Sequence, residues 1–184
     1  MLIKDKIAKI YILSGKSRSG KDSLADYMIE EFEKNGLKSI KLQFSSYMKM
    51  YAKVLTGWDG SEDTKPRTLL QELGTDIIRN KIDKDFFIKR IIEDIRVYSF
   101  FYDIIIVSDA RFKEEIIKVK DVYKSVKSIY VERPDYENEL TEKEKEHVTE
   151  KGLEGYNDFD YKVINNASLD NLKENAINIV KEEI

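Results

Sequence analysis

The residues with the plainest chemical meaning stand together near the start of the chain. Gly15-Lys16-Ser17-Arg18-Ser19-Gly20-Lys21 satisfies G-x-x-x-x-G-K. With that spacing a glycine-rich turn wraps backbone N–H groups around the phosphates of a nucleoside triphosphate, and the lysine ammonium reaches the β- and γ-phosphates. The string alone is a moderate signal, because an ordinary glycine-rich turn with a surface lysine reads the same way; its setting strengthens it. It follows Ile7–Leu13 (IAKIYIL), a β-branched and aromatic run that reads as a buried strand. After it, Leu24, Ala25, Met28, Ile29 and Phe32 recur at the three- and four-residue spacing of one helix face, with Gly36 just past the end. A strand running into a helix N-terminus is an anion site. Gly15, Lys16, Ser17, Arg18, Ser19, Gly20, Lys21, Asp22 and Ser23 are therefore the candidate triphosphate-binding residues, with Lys21 the catalytic cation.

The position after Lys21 is Asp22, where a Ser or Thr would ligate Mg²⁺ directly, and Ser23 comes one residue late. Mg²⁺ keeps several waters, so a carboxylate can hold it through one of them, and Asp22 is the first metal candidate. The second is Asp109. In IIIVSDAR it follows four apolar residues and one small one, as a Walker B carboxylate follows its strand. Ligands bind at the carboxyl ends of strands in open α/β sheets, so Asp109 and Arg111 are expected to face the same crevice as the loop. Asp109 as N-cap of the next helix is the alternative, and the two roles are compatible.

Arginine is scarce, seven residues against 25 lysines, which makes its placement informative. Arg67 and Arg79 fall on a helix opening at Pro66, Arg90 and Arg96 on the next, Arg111 beside Asp109, and Arg133 later. Guanidinium groups chelate phosphate oxygens, and phosphoryl transfer needs positive charge over the migrating group. Most of these arginines read equally well as surface or ion-pair residues; Arg79 and Arg111 are the preferred exceptions.

Positioning such groups requires a scaffold, and the hydropathy pattern supplies an alternating one. Strands are expected at 39–44, 102–107, 128–131 and 161–164, and helices at 45–55, 66–80, 86–97, 113–120 and 169–181, with a polar loop at 57–65. Alternation of this kind implies a parallel sheet covered by helices on both faces, in one α/β domain of 184 residues. The charged stretch Glu132 to Asp160 interrupts it and reads as a lid or as a solvated helix on a loop.

Composition removes other chemistries. There is no cysteine, hence no disulfide, thiolate zinc site or cysteine nucleophile. A single histidine, His147, argues against a Ser-His triad and excludes a multi-histidine metal site. The net charge of −3 opposes a general nucleic-acid binder. No apolar run is long enough to span a bilayer and no signal-peptide pattern opens the sequence, so a cytoplasmic protein without membrane contact is expected.

Longer stretches carry a family resemblance. SGKSRSGKDSLADYMIEEF resembles the phosphate loop of phage-type deoxynucleoside monophosphate kinases, in which Asp also follows the lysine. RTLLQELGTDIIRNKIDKDFFIKRI resembles that family's acceptor-side helices, IIIVSDARFKEEI its Asp-x-Arg-Phe strand end, and residues 147–180 its closing segment. The resemblance implies a P-loop nucleoside monophosphate kinase fold: a five-stranded parallel sheet, an acceptor-binding region at about 45–100 and a lid at about 132–160. It implies transfer of the γ-phosphoryl of ATP, with Mg²⁺, to a deoxynucleoside or nucleoside 5′-monophosphate. The loop would hold ATP, joined by Arg133 at the lid entrance; Arg67, Gln71 and Arg79 would line the acceptor side, and Arg111 would meet the acceptor phosphate. The lid differs from that of adenylate kinases, which use several arginines where only Arg133 stands here. SGK-x-x-SGKD, VSD-x-R and the GL-x-x-x-x-DFD stretch also resemble animal-type phosphomevalonate kinase, and the middle segment favours the nucleotide kinases. A nucleotide-binding protein without turnover is the remaining alternative. The expected partner is a small phosphate monoester, with no membrane or nucleic acid; a homodimer is left open.

Overall fold

The computed structural model describes residues 6–134, 152–166 and 168–184. Five parallel strands form the sheet: β1 (Lys9–Ser14), β2 (Ser39–Leu42), β3 (Ile104–Ala110), β4 (Val126–Glu132) and β5 (Tyr161–Ile164), in the order β2-β3-β1-β4-β5. The helices are α1 (Lys21–Lys34), α2 (Ser45–Thr56), α3 (Arg67–Gln71), α4 (Phe86–Ser99), α5 (Lys113–Val122) and α6 (Leu169–Glu183). Helix α3 runs on through Glu72–Ile82 in wider, i→i+5 turns.

Alternate residues of the central strands feed two cores, as the two-residue period of a strand requires. Ile10, Ile12, Ile105 and Val107 pack with Ile88, Ile91 and Ile95 of α4 and Ile116 of α5 on one face. Tyr11, Leu13, Ile104 and Ile106 pack with Leu24, Met28 and Phe32 of α1 and Leu172 and Ala176 of α6 on the other. This is the expected fold class.

Three details depart from the sequence reading. Strand β3 does not stop before Asp109 but continues to Ala110, and the β1–β3 register shifts between Ile12 and Ser14, which face Val107 and Ala110. The extra residue on β3 is a bulge, a feature that re-aims side chains beside functional sites. It falls at Ser108–Asp109. The second departure is at 152–160, the end of the stretch expected to form a lid. Gly152 accepts a backbone hydrogen bond from Lys113, Phe159 stacks on Tyr130 at 5.0 Å, and Asp160 binds Ser128 and Lys120. These residues are bound to the sheet and α5 because aromatic burial and a carboxylate with several donors outweigh solvation. The rest of the expected lid, beyond 134, and His147 lie outside the described residues. Third, the helix opening at Pro66 contains the wide turns, a geometry that recurs at functional sites.

Candidate functional site: a phosphate loop between two cavities

The loop between β1 and α1 has the backbone that its glycines require. Gly15 has φ +144°, and a Cβ there would lie 2.2 Å from the Val131 carbonyl oxygen of β4. Gly20 has φ +100°, and a Cβ would meet the Asn165 amide nitrogen at 2.5 Å. Only glycine fits either position. Arg18 also takes a positive φ, 57°, an uncommon conformation for a side-chain-bearing residue. The Lys21 side chain is buried at the helix start, and its Nζ donates to the Lys16 carbonyl at 2.7 Å, curling back over the loop. Ser19 is buried as well, and its backbone N–H donates to Lys16.

Three residues far along the chain hold this loop; Arg111 and Arg133 were sequence candidates, and Asn165 was missed. Asn165, just past β5, donates from Nδ2 to the Ser19 carbonyl at 2.9 Å, while its own backbone N–H donates to Glu132. Its place at the carboxyl end of a strand was the available signal. Arg111 donates from Nη1 to the Gly15 carbonyl at 3.2 Å. On the far side, Arg133 donates to the Arg18 carbonyl at 3.5 Å.

Asp22 does not stand alone at the head of α1. Its Oδ1 accepts from Ser108 Oγ at 2.8 Å and from Gln43 Nε2 at 3.2 Å, and Gln43 Oε1 accepts from Lys49 at 3.0 Å. The Gln43 amide is therefore oriented from both ends, and it ties β2 and α2 to the loop.

Asp109, expected as a crevice carboxylate or alternatively as the cap of the next helix, caps a different helix. Its two oxygens accept from the backbone N–H groups of Phe44 and Ser45, at 2.7 and 3.1 Å. It caps α2, not α5, because the β3 bulge carries it toward the neighbouring strand β2. The α5 cap comes from Glu115, whose Oε2 accepts from the Arg111 and Phe112 N–H groups at 2.7 and 3.1 Å. Glu115 occupies the third position of α5, where a back-reaching glutamate is a familiar sequence signal.

Arg79 is sequestered more than expected. Its Nη2 pairs with Glu115 Oε1 at 2.9 Å, its Nη1 donates to the Gly74 carbonyl, and its guanidinium lies over the rings of Phe87 and Phe112 at 4.8 and 4.7 Å. Burial pushes the Glu115 carboxyl above the usual carboxylate range, against the pull of Arg79 and of the Arg111 N–H. Arg67 is half exposed and lies 3.8 Å from Glu62.

These groups border two cavities. One, of about 270 Å³, is lined by Ser17, Asp22, Gln43, Met48, Lys49, Arg67, Gln71, Thr75, Arg79, Asp109, Arg111 and Glu115 among others. The other, of about 350 Å³, is lined by Arg18, Gly20, Lys21, Asp22, Ser23, Arg133, Asn165, Leu169 and Leu172. Asp22 belongs to both. Thus the structure brings Arg67, Gln71, Arg79 and Arg111 to one cavity and most of the loop with Arg133 to the other. Arg90 and Arg96 line neither. Among the described residues no three acidic or histidine side chains cluster as an all-protein metal site, and no helix is long and apolar enough to cross a membrane.

Comparison with known proteins bears on the family and the fold. The family model described as deoxynucleotide monophosphate kinase matches residues 34–176, starting after the loop. The loop therefore rests on its own sequence and geometry. No curated protein sequence matches. Similar solved structures include APS kinase of Mycobacterium tuberculosis in complex with AMPPNP and APS, at 14% identity and TM-score 0.55, covering 95% of this chain and 98% of that one. Shikimate kinase from Aquifex aeolicus is 12% identical with TM-score 0.52, covering 95% and 97%. A gluconokinase from Sinorhizobium meliloti is 14% identical with TM-score 0.54, covering 97% and 94%. At such identities these likenesses speak to the fold.

Proposed function

The chain belongs to the deoxynucleotide monophosphate kinase family, and from that premise we propose that it transfers the γ-phosphoryl of ATP to a deoxynucleoside or nucleoside 5′-monophosphate. That it is a nucleotide or small-molecule kinase follows from the family and the fold. The observation that carries the finer reading is the pair of cavities meeting at Asp22, one lined by the phosphate loop and the other by arginines. In-line transfer needs two phosphate sites facing each other across a few ångströms, and little else, because the reaction passes through a loose transition state without a covalent enzyme intermediate.

In this reading residues 15–23 bind the ATP phosphates through backbone N–H groups, and Lys21 offsets charge on the transferring group. On transfer, the lysine would exchange its bond to the Lys16 carbonyl for phosphate oxygens. Arg133 borders the ATP side. Arg67, Gln71, Arg79 and Arg111 bind the acceptor, with Arg111 nearest the loop through Gly15. The acceptor region at about 45–100 includes α2, α3 and the wide turns. The chain acts as one domain in the cytoplasm.

The donor set at Asp22 suits Mg²⁺. One carboxylate oxygen is engaged by Ser108 and Gln43, leaving the other for water held by a metal that takes its remaining oxygens from phosphates and water. When bound, Mg²⁺ supplies charge neutralisation at the β- and γ-phosphate oxygens. Asp109, with both oxygens on α2 amides, serves chiefly to fix the head of α2 beside the acceptor, and a metal contact would be secondary.

The experiment is a screen of ADP release with ATP and Mg²⁺ against deoxynucleoside monophosphates, ribonucleoside monophosphates and phosphomevalonate. Turnover with a nucleoside monophosphate and not with the parent nucleoside is expected. Turnover only with phosphomevalonate, or none, would overturn the proposal.

A further inference from the structure

Glu115 is buried to 2% exposure on the wall of the arginine-lined cavity, and every hydrogen-bond partner it has is a donor. Oε2 takes the Arg111 and Phe112 amides, and Oε1 takes Arg79 Nη2. A buried carboxylate left without its cation is costly, so Arg79 is held in place from the glutamate side. The guanidinium also lies over the rings of Phe87 and Phe112, and the Gly74 carbonyl takes a second N–H. A guanidinium carries five N–H groups, of which these bonds use two. The geometry points to Glu115 as a positioning residue for acceptor binding: it locks Arg79 into a fixed, stacked orientation from which its remaining N–H groups meet the acceptor phosphate without the arginine leaving its carboxylate. This rests on reading that cavity as the acceptor site.

The role differs from that of a general structural ion pair. An arginine free to swing would pay rotamer entropy each time it gripped a phosphate, whereas a pre-stacked one does not. Glu115 also cancels the net charge of Arg79, which leaves the cavity's other cations, Arg111, Arg67, Lys49 and Lys65, to supply the attraction that draws the acceptor in. Arg79 then contributes orientation through hydrogen bonds more than long-range attraction.

The amide variant separates these functions from mere packing. Glu115→Gln has nearly the same volume but only one acceptor atom where three donors converge. It keeps two bonds by placing its carbonyl on the Arg111 and Phe112 amides, and its NH₂ then opposes Arg79. The expected result is an acceptor KM raised tenfold or more, with the KM for ATP within twofold of wild type. Combining Glu115→Gln with Arg79→Gln should raise the acceptor KM no more than threefold above Arg79→Gln alone, because both changes remove one function. An acceptor KM unchanged in Glu115→Gln, or additive penalties in the double variant, would overturn the assignment; a lowered Tm alone would not rescue it. If Glu115→Gln does not fold, Glu115→Asp retains both oxygens but is one methylene shorter, and the same KM split is expected. A readout independent of turnover is the NMR signal of the Arg79 Nε–H during titration with inorganic phosphate. It should shift in the wild type and lose that response in Glu115→Gln. Absence of the shift in the wild type counts against Glu115 and Arg79, whereas a shift without turnover on any monophosphate counts against the proposed reaction.

Discussion

Removal of the Asn165 side chain tests whether the end of β5 preorganises the phosphate loop. The amide donates one hydrogen bond, 2.9 Å long, to the Ser19 carbonyl, and its nitrogen occupies the space a Cβ on Gly20 would need. Asn165→Ala deletes that bond and leaves the backbone bond from Asn165 to Glu132 in place. A neutral hydrogen bond contributes about 0.5 to 1.5 kcal/mol net. If that contribution is spent on holding the loop in its binding geometry, ATP affinity falls by about two- to twelvefold at 1.4 kcal/mol per factor of ten. The Tm of a chain of this size should drop by no more than about 4 °C per kcal/mol. The assay is initial-rate ADP release with ATP varied at saturating acceptor, and then the reverse. The expected pattern is a raised KM for ATP with the acceptor KM unchanged. Asn165→Asp should do worse than alanine, because it replaces the donor with an acceptor facing a carbonyl and puts negative charge beside the phosphates. Equal ATP kinetics in wild type and Asn165→Ala, with only Tm altered, would show that the bond braces the fold and does nothing for the nucleotide.

Other perturbations give distinct signatures. Lys21→Ala is expected to lower kcat by about a hundredfold or more, the scale of losing one preorganised charge contact of roughly 3 to 4 kcal/mol, and circular dichroism should show an intact fold; wild-type turnover would refute its role. Asp22→Asn retains the hydrogen bonds that Ser108 and Gln43 direct at Oδ1, so stability should stay within about 1 kcal/mol of wild type while the Mg²⁺ concentration for half-maximal rate rises; an identical Mg²⁺ titration refutes the metal role. Asp160 tests the anchoring of 152–160. Although its burial raises the carboxyl, bonds from Lys120 and Ser128 overcome that and hold it down at about 2. A folded value below the unfolded one of about 4 means that its stabilisation is complete above that pH and lost as pH falls toward 2. The Tm gap between wild type and Asp160→Asn should therefore be widest at neutral pH and narrow on acidification below 4; a gap independent of pH refutes the charge argument.

What the sequence carries by itself are features whose cause lies within a few residues of one another. The loop at 15–23 was legible because glycine spacing, the preceding apolar run and the helix period are all local, and a strand-turn-helix presents backbone N–H groups whatever else surrounds it. The parallel sheet was legible because continuous apolar strands alternating with amphipathic helices can bury themselves in few other ways. Helix positions of Arg67, Gln71 and Arg79 followed from the same periodicity. Tertiary structure alone decided the partners: Asn165 reaches Ser19 across 146 positions, Ser108 reaches Asp22 across 86, and Glu115 reaches Arg79 across 36. Each depends on strand order and on register, and at Ser108–Asp109 on one extra residue in β3 that redirects two side chains. Asp109 shows the consequence: its type and strand-end position predicted a carboxylate in the crevice, but whether it would face a metal, α5 or α2 was set by which strand lay beside it. A sequence specifies donors and acceptors; only the packed sheet brings together the pairs that satisfy them.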